Sequence, residues 1–152
     1  MIRKFKILLL IIFFAPSCGF TPIYSSKNIE NIENISIEQL GFNGDRTLNN
    51  YLRSNLNRYK KRDSEKKIFL EVDTNYQKNI LSKDATGKIY EYQLVAEVIF
   101  TINQDKKKII FTHKRNMKNM EDKSDERNYE VSTKQSFANL ITQELITKLA
   151  EM

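Results

Sequence analysis

The chain contains a single cysteine, Cys18, and the residues before it decide what its sulfur can do. Arg3, Lys4 and Lys6 lead into a nine-residue apolar run, residues 7–15, followed by Pro16 and Ser17. Nine residues fall well short of the roughly 20 needed to cross a bilayer as a helix, but they suit the apolar centre of a cleaved export signal. In lipoprotein signals a small residue directly precedes a cysteine whose sulfur takes a diacylglyceryl group and which becomes the first residue of the mature chain. Ser17 and Cys18 fit that pattern, although Ala15 stands where Leu is usual and Pro16 is uncommon at its position. Ala15 and Ser17 would also serve a general secretory peptidase, which would leave an ordinary secreted protein with a free thiol.

Other reactive constellations are hard to assemble. The one histidine, His113, lies between Thr112 and Lys114 on a strand pattern and reads as a solvated strand residue, not as a catalytic base. Without further His or Cys a metal site is disfavoured, and Gly19, Gly41, Gly44 and Gly87 are too scattered to cradle a phosphate. Residues 121–126 lack the spacing and the glycine of a calcium loop and read as a solvated acidic turn. Tyr90 and Tyr92 could stack on a base or a sugar, but they alternate in step with Leu94 and are expected to be structural. The expectation is a binding or assembly protein, not an enzyme, with no cofactor and no metal.

The charge balance agrees. Of 25 basic residues, Arg3, Lys4 and Lys6 leave with the signal, so 22 face 19 acidic ones and the net charge falls from +6 to +3. That excess, in a chain rich in Lys, Asn and Ile, does not imply nucleic acid. With Cys18 acylated no disulfide can form, so 135 mature residues must rely on one hydrophobic core.

The elements that would position any site follow from periodicity. Residues 1–17 form the signal, residues 18–33 a polar lipidated tether, and residues 34–152 one folded domain. A first strand is expected over residues 34–40, a turn at residues 41–44, and then a helix over roughly 46–60. Asp45 would cap that helix, and Leu48, Tyr51, Leu52, Asn55, Leu56 and Tyr59 would share one face, with Lys60, Lys61 and Arg62 closing it. Strands follow over residues 67–76, 88–103 and 108–115, separated by a loop at 81–87 and a hairpin connection at 103–107. Residues 116–128 read as a polar connection. The final helix carries Phe137, Leu140, Ile141, Leu145, Lys148, Leu149 and Met152 as its stripe. The order β-α-β-β-β-α predicts an α+β fold: a four-stranded, mostly antiparallel sheet with both helices on one face and the other face polar.

Residues 18–24, Cys-Gly-Phe-Thr-Pro-Ile-Tyr, resemble the mature terminus of the LPS-assembly lipoproteins of the LptE type, particularly their alphaproteobacterial branch. Length, element order and a closing helix that begins near Tyr129 add to the resemblance. It implies a small, periplasm-facing lipoprotein of the outer membrane, held there by acyl chains on Cys18. Such a protein plugs a large β-barrel partner of the LptD type and helps place lipopolysaccharide in the outer leaflet. Gly19, in place of the Asp that retains lipoproteins at the inner membrane, agrees with that sorting. The competing reading is a periplasmic adaptor or secretion-apparatus lipoprotein without a lipid ligand. If glycolipid phosphates are bound, the densest basic cluster on an inferred hairpin, Lys106, Lys107 and Lys108, is the candidate contact; otherwise those lysines are a solvated turn that protects a sheet edge.

Overall fold

The computed structural model describes residues 35–60, 64 and 66–152. The signal, Cys18, the tether, the 18–24 motif, Lys61 and Arg62 lie outside the described residues. In chain order the elements are β1 (Ile35–Gly44), α1 (Arg46–Leu56) with a 3-10 turn at Asn57–Tyr59, β2 (Lys66–Lys83), β3 (Ile89–Ile102), β4 (Lys107–Lys118) and α2 (Lys123–Ala150). The strands form one sheet in the order β1-β2-β3-β4. β2, β3 and β4 run antiparallel as a meander, whereas β1 pairs with β2 in parallel, so the sheet is mixed. Two parallel neighbours need a crossover connection, and α1 lies in it.

Alternation fixes which face is covered. Leu70 and Val72 of β2, Leu94, Ala96, Val98 and Phe100 of β3, and Met117 of β4 are buried under the helices. Leu48, Leu52 and Leu56 of α1, and Phe137, Ile141 and Leu145 of α2, meet them. Phe100 and Phe111 pack edge to face at 6.0 Å. The opposite face is solvated, with Glu71, Asp73, Asn75, Gln77 and Asn79 on β2 and Lys108, Thr112, Lys114, Asn116 and Lys118 on β4. Fold class, element order and the polar face match the sequence-based expectation. No helix among the described residues is long and apolar enough to cross a membrane.

Several boundaries differ, each for a local reason. The expected turn at residues 41–44 is strand: β1 passes through an irregularity between Gln39 and Gly41 and continues to Gly44. It ends there because Gly44 has φ 95°, and a Cβ at that position would lie 1.7 Å from the Thr74 carbonyl oxygen. Asp45 then caps α1, its Oδ1 accepting from the Leu48 amide at 2.8 Å, an interaction worth about 1 kcal/mol. The junction is locked from inside: Thr74 Oγ1 lies 2.8 Å from Asn49 Oδ1, and Asn49 Nδ2 donates to the Asn43 carbonyl at 3.1 Å. α1 stops at Leu56, four residues short of the expected end. β2 runs to Lys83, so the expected 81–87 loop shrinks to a tight turn around Gly87.

α2 begins at Lys123, capped by Asp122, which places its start well before Tyr129 and inside the segment expected to be a connection. Its stripe is also rotated from the expected one. Ala138, Thr142 and Ile146 are buried while Leu140 and Met152 are 40 % and 49 % exposed. His113 is not solvated on the open side. It faces α2, 3.0 Å from Glu144 Oε2 and 6.0 Å from the Phe137 ring.

Candidate functional site

Residues 121–126, expected as a solvated acidic turn, instead anchor the start of α2. Glu126 is 5 % exposed, and a buried carboxylate is tolerated only when its charge is met. Lys123 Nζ donates to its Oε2 at 2.9 Å, Lys78 Nζ reaches its Oε1, and the Met120 amide donates at 3.4 Å. The Lys123 and Lys78 ammonium groups hold this carboxyl at about 2, far below its ordinary 4.5. Lys78 also donates to Glu130 Oε1 at 2.6 Å and lies 4.4 Å above the Tyr92 ring. Burial alone would lower its pKa, but the hydrogen bonds to Glu126 and Glu130 outweigh it and raise it. Beside it Lys134 bridges Asp45 Oδ2 at 2.7 Å and sits 4.0 Å over the Tyr76 ring, so two adjacent groups of ion pairs bind α2, one to β2 and the other to the start of α1.

Next to the first group lies a cleft of about 500 Å³. The β2–β3 turn, the end of β4 and the first turn of α2 build it. Lys88, Lys118 and Lys123 line it, with Ile89, Tyr90 and Met120 as its apolar part and Asp84 and Glu121 as its acids. Asn119 shapes it: its backbone amide donates to the Tyr90 carbonyl at 2.8 Å, its side chain to the Ile89 carbonyl at 2.9 Å, and Lys123 Nζ donates to its Oδ1 at 3.1 Å. Asp84 is committed to the turn, accepting from the Thr86 hydroxyl at 2.6 Å and from the Thr86 and Lys88 amides, each at 2.9 Å. Chiefly the Thr86 hydrogen bond lowers its pKa. Among the described residues Lys88 and Lys118 make no close ion pair, although the Lys88 charge acts on Asp84 and Lys118 stands opposite Glu91 in the ladder, and both lie beside an exposed aromatic ring. Cations over an apolar floor suit an amphiphile with an anionic head.

The sequence-derived candidates lie at the other end of the sheet. Lys106 is in the β3–β4 turn with φ 50°, Lys107 opens β4 with Nζ 3.7 Å from Met152 Sδ, and Lys108 is exposed. Gln104 ties this turn to β2 by donating to the Lys67 carbonyl at 2.7 Å, which adds Lys66 and Lys67 to the same end. Ile35 pairs with Lys66, so β1 enters the fold here as well. The three consecutive lysines share this hairpin, away from the cleft. The cleft lysines went unnoticed in the sequence because they are spread over residues 88–123; the alternation that pairs Glu91 with Lys118 is the signal that joins them. Cys18 lies outside the described residues. Among the described residues no group of three or more His, Cys, Asp or Glu side chains could hold a metal.

Known structures share this architecture. Rare lipoprotein B of Shewanella oneidensis is 17 % identical with a TM-score of 0.51, over 73 % of this chain and 96 % of that one. A minor lipoprotein of Acinetobacter baumannii is 16 % identical with a TM-score of 0.50, over 72 % and 93 %. Lipoprotein B of Nitrosomonas europaea is 11 % identical with a TM-score of 0.52, over 77 % and 85 %. At such identities the likeness shows the fold alone, and among curated protein sequences none matches. The family profile described as "LptE: Lipopolysaccharide-assembly" matches residues 29–152, which take in the whole folded domain, and on that match the chain belongs to the LptE lipopolysaccharide-assembly family.

Proposed function

We propose that this chain is an outer-membrane lipoprotein, anchored by acyl chains on Cys18, that seats inside an LptD-type β-barrel and helps pass lipopolysaccharide through it. Family membership supports a role in lipopolysaccharide assembly. A barrel lumen is wet and polar, and the uncovered sheet face, with its amides and charges of both signs, suits such a wall. The observation that carries the glycolipid contact is the cleft, where Lys88 and Lys118 flank Tyr90, Ile89 and Met120. Phosphates on the glycolipid would meet the lysines while adjoining acyl or sugar surface covers the apolar floor. The hairpin lysines 106–108 would act as a second, diffuse electrostatic contact nearer the tether.

Two variants test this. Lys88→Gln with Lys118→Gln removes charge but little volume, and lipopolysaccharide binding at low salt should weaken about tenfold, the scale of two lost charge-assisted contacts. The triple change of Lys106, Lys107 and Lys108 to Gln should weaken it less, and the residual binding should depend less on salt. Parent-like binding by the folded cleft variant would remove the cleft from the mechanism. Depleting the protein should lower the amount of assembled barrel and open the outer membrane to large hydrophobic antibiotics. Unchanged barrel levels and an intact permeability barrier would favour the adaptor reading.

A further inference from the structure

The two borders of the sheet are finished differently. β4 is one border, and it carries the exposed Lys107, Lys108, Lys114 and Lys118 along twelve residues, while Arg115 turns under α2 to Ser136 and Phe137. Charges of this density deter another strand from adding to an edge. The other border is formed by β1 only as far as the Gly44–Thr74 pair. Beyond that point β2 continues for nine residues, 75–83, with β3 on one side and, among the described residues, no backbone partner on the other.

The direction of its hydrogen-bonding groups can be read from its neighbours. The Phe69 carbonyl accepts from Asn103, at the β3–β4 turn, whereas the Thr74 carbonyl accepts from Asp45, on the β1 side. Alternation then turns the amides and carbonyls of Tyr76, Lys78 and Ile80 outward along the free edge. This edge is not guarded. Its one cation before Lys83, Lys78, is folded back into the ion pairs with Glu126 and Glu130, and the rest is Tyr76, whose ring lies under Lys134, with Asn75, Gln77, Asn79, Ser82 and the exposed Ile80 and Leu81.

Resting on the barrel reading above, we infer that the outer edge of β2 from Tyr76 to Ile80 receives an extended strand supplied by the barrel partner, completing a five-stranded sheet. The incoming segment is uncharged where it faces Lys78, because that ammonium already has two carboxylates, and it presents amide or hydroxyl side chains beside Asn75, Gln77 and Asn79. A second copy of this chain is a poorer occupant, since an antiparallel pairing about the centre of this edge sets Lys78 against Lys78.

Residue-resolved hydrogen exchange on the full lipidated protein in detergent, alone and in complex with its barrel, tests this. Alone, the amides of Tyr76, Lys78 and Ile80 should exchange at least about 100-fold faster than those of Gln77 and Asn79, which bond to β3. In the complex the three outward amides should slow to match their neighbours. Asn75→Lys with Asn79→Lys, which installs a guard like that of β4 on solvated side chains, should reduce recovery of the barrel several-fold. A complex that forms while those amides keep exchanging as in the free protein overturns the strand and leaves the barrel reading intact. Failure to recover any barrel with the parent protein ends both. Slowing in the free protein that grows with its concentration assigns the edge to a second copy and overturns the proposal as well.

Discussion

The two basic ends of the sheet differ in what holds their lysines. At the β3–β4 hairpin, Lys106, Lys107 and Lys108 are consecutive, exposed and without an ion pair among the described residues. At the cleft, Lys88, Lys118 and Lys123 come from three elements, and Lys123 is fixed by Asn119 and Glu126. A run of neighbouring charges on one turn gives a field, whereas charges brought by three elements around one cavity give a shape, and only the second can select a ligand. Charge density along a sequence is thus a weaker guide to a site than charges converging on one cavity.

That contrast can be broken from the cleft side first. Glu126→Gln leaves Lys123 and Lys78 without the carboxylate they share, and it should destabilise the protein by about 2–3 kcal/mol at neutral pH in urea unfolding. The sign of the pH dependence follows from the depressed value. Glu126 titrates at about 2 when folded against an ordinary 4.5, so its contribution is complete above about 4.5 and is lost as the pH falls toward 2. The parent should lose stability across that window more steeply than the Gln variant. A smaller effect is expected at Asn119→Ala, which removes the side-chain donor to the Ile89 carbonyl. It should cost about 1–2 kcal/mol and speed amide exchange in residues 119–123. Smallest is the Lys106, Lys107, Lys108 to Gln triple variant, whose unfolding midpoint should stay within about 0.5 kcal/mol of the parent. A large loss there would mean that the hairpin lysines are structural and would erase the distinction between the ends.

Much of the fold was legible because the sheet has one covered face. The seven-residue alternation from Tyr90 to Ile102 located β3, and the stripe on α1 was read correctly from Leu48 to Leu56. What escaped depends on contacts distant in sequence. Gly41 and Gly44 look like a turn, and only pairing with Glu71 and Thr74 makes them strand. The first turns of α2 look like a polar connection because Glu126 is charged. Its burial is explained by Lys78, 48 residues earlier, which periodicity cannot show. Tyr90 keeps the alternation yet is 54 % exposed, since it lies where the sheet outruns its helices and the cleft opens.

The parallel pairing of β1 with β2 has a consequence for how the chain acquires its structure. β2, β3 and β4 are joined by short turns and can zip locally, whereas Ile35 finds its partner only at Lys66, after α1 has been made. Local contacts form fast and distant ones wait for loop closure. α1 covers the apolar side only over β1 and β2, and Phe137, Ile141, Leu145 and Leu149 all come from the 28-residue α2, so the part of that side over β3 and β4 stays uncovered until α2 has been made. A nascent or truncated form ending at β4 therefore presents a sheet whose hydrophobic side is only partly covered, by α1, the kind of surface that chaperones bind and that aggregates when they do not. Loss of the C-terminal helix should consequently show itself first as vanishing protein, before any defect in a particular contact can be scored.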